Sequence, residues 1–131
     1  MTNRNYSELD IAIIGVSCRF PGADNWRQFW NNLKNGVESI RHYSVAEAKE
    51  LGVDELLIEN TNFVRARSSI NNKDAFDAHF FDYRPAEAAL MNPVHRIFHE
   101  CVWEAIEDGA VDLSAFQGPI GLFAGADEDL N

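Results

Sequence analysis

Ile11-Ala12-Ile13-Ile14-Gly15-Val16 is a short, nearly continuous apolar run rich in β-branched residues. Its length and composition predict a strand buried on both faces, of the kind found in parallel sheets flanked by helices. A second run, Pro119-Ile120-Gly121-Leu122-Phe123-Ala124-Gly125, reads as another buried strand, with small residues for close packing. The chain between them is largely helical, so the order is strand, helical excursion, strand: one βαβ-like crossover of an α/β fold. Two strands do not make an independent parallel sheet, and the sequence therefore reads as incomplete.

Between the two runs the helix signals are local. Arg19-Phe20-Pro21-Gly22-Ala23-Asp24 breaks the first strand with a Pro-Gly turn. Asp24 or Asn25 can cap a helix from about Trp26 to Asn35, with Trp26, Phe29, Trp30 and Leu33 on one face and Gly36 as its stop. Ser44 and Glu47 form a capping box for a short helix ending near Gly52. Residues 53–74 read as irregular, with a short strand at Asn62-Phe63-Val64. Pro85 stands at the first position of a short helix to Met91. Asn92-Pro93 repeats that device and opens the clearest helix, Pro93 to about Asp108. Its apolar series is Val94, Ile97, Phe98, Cys101, Val102, Ala105 and Ile106. Arg96, Glu100, Glu104 and Glu107 lie opposite, and Gly109 closes it.

The 131 residues suit one domain or part of one, and nine Phe and three Trp supply apolar material for a core. Residues 1–9 read as a flexible lead-in and 10–131 as the folded segment. A net charge of −10, from 21 acidic against 11 basic residues, disfavours nucleic acid and anionic membrane surfaces as partners. No apolar run reaches the roughly 18 residues of a membrane-spanning helix, and the polar opening MTNRNYSELD is not a signal peptide. Two widely separated cysteines, Cys18 and Cys101, read as reduced thiols of a cytoplasmic protein.

Few residues are placed for chemistry. His95 and His99 lie four apart on the long helix, but His-Arg-Ile-Phe-His-Glu is not the zinc-protease order and no third ligand is evident. Cys18 is followed by Pro21-Gly22 and not by a helix start that would favour thiolate. Cys101 belongs to the apolar stripe as a packing residue. Glu107-Asp108 reads as a solvated helix end. The glycines form no dinucleotide fingerprint or phosphate loop, and no Gly-x-Ser-x-Gly elbow is present. The residues alone predict no catalytic, cofactor or metal site.

The segment IAIIGVSCRFPGA, Ile11 to Ala23, closely resembles the opening of ketosynthase domains of modular polyketide synthases and hybrid peptide–polyketide synthases. The resemblance continues in order. Phe29-Trp30, Leu33 and Gly36 look like that family's first helix, and Phe76-Asp77-Ala78 with Phe80-Phe81 like its FDA-x-FF segment. Pro85, Glu87-Ala88, Met91, Pro93 and Arg96 resemble P-x-EA-x-x-MDPQ-x-R. Trp103-Glu104-Ala105 with Glu107-Asp108 resembles WEA-x-ED, and Gly121 to Gly125 the next core strand. Asn92-Pro93-Val94-His95 departs from Asp-Pro-Gln, and Tyr83-Arg84 replaces a small residue and Ser. These departures leave a divergent or non-elongating parent open.

The resemblance implies the amino-terminal part of a thiolase-like layered fold, here incomplete, working as a homodimer. It implies a β-ketoacyl synthase, an acyltransferase that takes an acyl chain from the phosphopantetheine arm of an acyl carrier protein onto a cysteine. Two histidines then assist decarboxylative condensation with a malonyl unit, with no metal or cofactor. The family's nucleophile lies in a Cys-Ser-Ser segment downstream of the strand ending at Gly125, and His42, His79, His95 and His99 match neither histidine segment. Cys18 corresponds to a frequent non-catalytic cysteine. The expectation is an inactive amino-terminal segment of a condensing domain. The alternative is a non-catalytic, truncated ketosynthase-like module that serves structure or interaction.

Overall fold

A computed structural model describes residues 7 and 9–125. The expected lead-in at 1–9 falls mostly outside them; at its end Ser7 forms a local turn with Asp10, the Ser7 amide donating to Asp10 Oδ2 at 2.8 Å. The described elements run α1 (Trp26–Lys34), β1 (Arg41–His42), α2 (Val45–Glu50), α3 (Glu55–Ile58), β2 (Ala66–Arg67), α4 (Pro85–Leu90) and α5 (Pro93–Asp108).

The helices start where cap chemistry places them. Asn25 accepts the Gln28 amide at the start of α1. Ser44 and Glu47 cap each other reciprocally at α2. Asn92 accepts the Val94 amide at α5, with Pro93 in the first turn where a missing N–H costs nothing. At α4, Pro85 again leads, and Glu87 reaches back to the Arg84 amide at 3.1 Å. The left-handed residue after α5 is Ala110 (φ 50), not Gly109 (φ −76). Gly109 instead keeps the space beside the Ile14 carbonyl open: a Cβ there would stand 3.3 Å from that oxygen.

Two expectations fail in the middle of the chain. The strand forms at Ala66–Arg67 rather than at residues 62–64, and α3 lies in the stretch read as irregular. β2 pairs antiparallel with β1, Arg41 opposite Arg67 and His42 opposite Ala66. The partner lies far upstream in a segment with no strand signal of its own. α3 is one turn long, capped by Asp54 at the Leu56 amide, too short to show apolar periodicity.

A third expectation fails in a more informative way. Ile11–Val16 and Pro119–Gly125 are not hydrogen-bonded as strands, and they are exposed rather than buried: Ile11 is 94% and Phe123 96% accessible. The βαβ-like crossover is therefore not realised as a ladder among the described residues. A parallel strand completes its backbone hydrogen bonds only between neighbours, and the described residues supply none. What is buried is small: Ala23, Ala48, Ile58 and Ala88. Among the described residues no helix is long and apolar enough to cross a membrane.

Candidate functional site

The motif residues converge on α5. Gly15 approaches its carboxyl-terminal turn so closely that a Cβ would lie 2.0 Å from the Ala105 carbonyl oxygen and 2.8 Å from the Gly109 amide nitrogen. Only glycine fits there. The next amide, Val16, donates to Asp108 Oδ2 at 3.0 Å. Asp108, read from sequence as a solvated helix end, thus anchors the opening segment.

One turn earlier sits Glu104. Ser17 Oγ donates to its Oε2 at 2.6 Å. Arg19 adds a two-pronged ion pair, Nη1 to Oε2 at 2.7 Å and Nη2 to Oε1, the strong geometry for guanidinium and carboxylate. Arg19 Nη1 also reaches the carbonyls of Asp24 (2.9 Å) and Cys18 (3.3 Å). The Arg19 hydrogen bonds hold the Glu104 carboxyl below the usual range against the opposing pull of burial, with Ser17 reinforcing them. Glu100, one turn back without such a partner, is pushed up by burial. The face of α5 read as polar is therefore a second packing face.

The middle of α5, from His99 to Trp103, holds the aromatic segment. Phe76 stacks on Phe81 at 5.1 Å, and Phe80 meets Trp103 edge-on at 4.9 Å. His99 lies against Phe76, Phe81 and Tyr83. Its Nδ1–H donates to the His95 carbonyl at 2.7 Å, which leaves Nε2 to accept the Tyr83 hydroxyl at 3.1 Å. Both ring nitrogens are engaged: the one lone pair His99 could offer a metal shared with His95 accepts the Tyr83 hydroxyl. Among the described residues no group of three His, Cys, Asp or Glu could hold a metal. Arg96 ties α5 to α4: its guanidinium donates to the carbonyls of Met91 (2.9 Å) and Ala89 (3.2 Å), the orphan acceptors at the α4 end.

This arrangement locks segments of the chain together. The Ser17 hydroxyl touches a carboxylate, but Arg19 neutralises Glu104 and holds its basicity down, the reverse of what a general base needs. Cys18 is half-buried, and burial, followed by the influence of Cys101, raises its thiol above the ordinary value. That is the opposite of an activated nucleophile. A groove of about 640 Å³ opens beside β2 and is lined by Tyr43, Leu51, Leu57, Phe63 and Arg65, with no Cys, His or Ser in its wall. Another, of about 600 Å³, runs between Ile13, Ile14, Ile106, Phe116 and Ile120, and brings the two unpaired apolar runs to the same flank of α5.

Sequence reasoning found the motifs but not their pairing. Ser17 and Arg19 stand 87 and 85 positions from Glu104, and no local spacing announces such a contact. The available signal was that both partners lie inside motif segments.

The chain matches the family model for β-ketoacyl synthase, N-terminal domain, over residues 8–130. It is 39% identical over 116 residues to a component of the phenolphthiocerol/phthiocerol polyketide synthase of Mycobacterium tuberculosis, covering 88% of this chain and 8% of that protein. It is 45% identical over 103 residues to polyketide synthase PksN of Bacillus subtilis, covering 79% of this chain and 2% of that one. The solved ketosynthase twelve of the bacillaene polyketide synthase of Bacillus amyloliquefaciens superposes with a TM-score of 0.66 at 48% identity, over 73% of this chain and 17% of that one. The chain thus spans less than a tenth of the curated relatives and about a sixth of the solved ketosynthase. With the motif segments gathered on one helix in the order that the resemblance predicts, the chain belongs to the β-ketoacyl synthase family, as an amino-terminal segment of a polyketide-synthase ketosynthase domain with a thiolase-like fold.

Proposed function

We propose that this chain is the leading segment of a condensing domain whose whole carries out decarboxylative Claisen condensation of acyl and malonyl units on carrier proteins. The observation that supports this is the convergence on α5. Gly15, Ser17 and Arg19 from the opening motif and the aromatic segment at 76–81 all bind the helix that carries Trp103-Glu104-Ala105, and Arg96 of that helix ties it to α4. In the parent the segment works as scaffold: it positions α5 and leaves two apolar runs on one flank for the core sheet. Carrier-borne phosphopantetheine thioesters are the substrates, a second copy of the domain is the partner, and no metal or cofactor takes part. A cytoplasmic location accompanies that role.

On this reading neither thiol is the acyl acceptor, and the chain by itself is inactive. The test is to incubate it with an acyl-loaded carrier protein and follow its intact mass. No acyl adduct is expected on Cys18 or Cys101. A stable thioester on either, lost on its replacement by Ser, would overturn the assignment of this segment as scaffold.

A further inference from the structure

The two apolar runs lie along a face that α5 extends. The groove between Ile13, Ile14, Phe116 and Ile120 has Ala105 and Ile106 of α5 in its wall. Ile106 also lines a second hollow, of about 160 Å³, with Phe98, Trp103 and Leu122. Through that shared residue the two hollows form one apolar face, with both runs beside the helix. Ile13 is 88% accessible, and Phe116, Ile120 and Leu122 are exposed as well. An apolar face of this extent is a surface to be covered. The runs add a second demand, because their backbones are not paired as strands. An occupant must bring strand edges as well as apolar side chains. Part of the surface is set before anything binds. Gly15 is seated on the last turn of α5 and the Val16 amide is held by Asp108 at 3.0 Å, so the opening run projects from a fixed point. Less ordering then remains to be done on binding.

We propose, resting on the condensing-domain reading above, that this face takes up the remaining part of a ketosynthase domain supplied as a separate chain, the two pieces assembling without a peptide bond between them. The occupant is identified by what the chain lacks. It matches the family model over residues 8–130 and spans about a sixth of the solved ketosynthase, so the rest of such a domain holds the core that the two runs are shaped to join. A second copy of this chain is the poorer occupant. Each copy carries a net charge of −10, which opposes self-pairing, and brings the same unpaired runs and no further core.

The test co-expresses a tagged 131-residue chain with the part of the solved bacillaene ketosynthase that follows the segment matched here, and compares them with the same two pieces fused as one chain. The tagged chain should recover the separate piece in equal amount. Ile13→Asp lies at an exposed position, so the free chain should melt unchanged, but it sets a carboxylate in the face to be covered. Recovery should fall by about tenfold or more. Glu50→Lys, on exposed α2 away from that face, should leave recovery as it is. A piece that is not recovered, recovery indifferent to Ile13→Asp, or a chain that pairs with itself and does not exchange its copy for the piece would each overturn the proposal. A fused protein that folds and takes up an acyl chain from a loaded carrier protein, while the separate pieces stay apart, overturns it and leaves the condensing-domain reading standing. A fused protein that does neither removes both.

Discussion

Helix α5 and the run Pro119–Gly125 are both apolar segments of the same chain, and they differ sharply in how they are held. α5 closes its own backbone hydrogen bonds and binds partners on two faces: the aromatic segment on one, Ser17 and Arg19 on the other. Pro119–Gly125 has no backbone partner among the described residues, and Phe123 points almost wholly to solvent. The difference is one of self-sufficiency. A helix needs only itself to satisfy its peptide groups, whereas a parallel strand needs neighbours on both sides. The opening run sits between these cases, docked at Gly15 and Val16 and exposed at Ile11 and Ile13.

The sharpest way to break this contrast is to undock the opening run. Gly15→Ala drives a methyl group into the Ala105 carbonyl and should cost about 3 kcal/mol, at the upper end for overpacking, measured by urea unfolding. The same change at Gly125, where nothing lies within 4 Å, should leave stability within about 0.5 kcal/mol.

Cutting the ionic lock comes next. The Arg19 side chain is only 17% exposed although Glu104 is 40% exposed. Glu104→Gln leaves a largely covered guanidinium with weaker acceptors and should cost about 1–2 kcal/mol, more than the about 0–1 kcal/mol of a surface pair. Because the Glu104 carboxyl is held low in the folded chain, its contribution is complete above the ordinary glutamate range. It disappears as pH falls through the depressed value. The variant should therefore show a flatter loss of stability on the acid side.

Glu100 carries the opposite sign. Burial raises its carboxyl, so the folded chain prefers it protonated, and its contribution is lost as pH rises through that raised value. Glu100→Gln should stabilise the chain near neutral pH by a few tenths of a kcal/mol, within about 0.5 kcal/mol, and have no effect well below the ordinary glutamate range.

Local chemistry was legible in the sequence. Asn25, Ser44 with Glu47, Pro85, and Asn92-Pro93 announced their helices, because a cap is a contact between residues two or three apart. The long-range pairing was not. The β1–β2 ladder joins Arg41 to Arg67, and α3 is a single turn without periodicity. Glu104 read as part of the face opposite the apolar stripe, yet it binds Ser17 and Arg19 through a contact that only the folded chain makes. The apolar runs were recognised as strand material, but the ladder they call for needs partners that the described residues do not contain.

The central claim is that Ile11–Val16 and Pro119–Gly125 are strands awaiting the rest of a ketosynthase core, while the α5 junction is already complete. Amide hydrogen exchange tests it most directly. The chain is compared alone and grafted in place of the matching segment of the solved bacillaene ketosynthase. Both runs should pass from nearly unprotected to strongly protected in the graft, with the amides of α5 protected in both forms. Runs that stay unprotected in a folded graft, or an α5 that is unprotected until grafted, would contradict the claim.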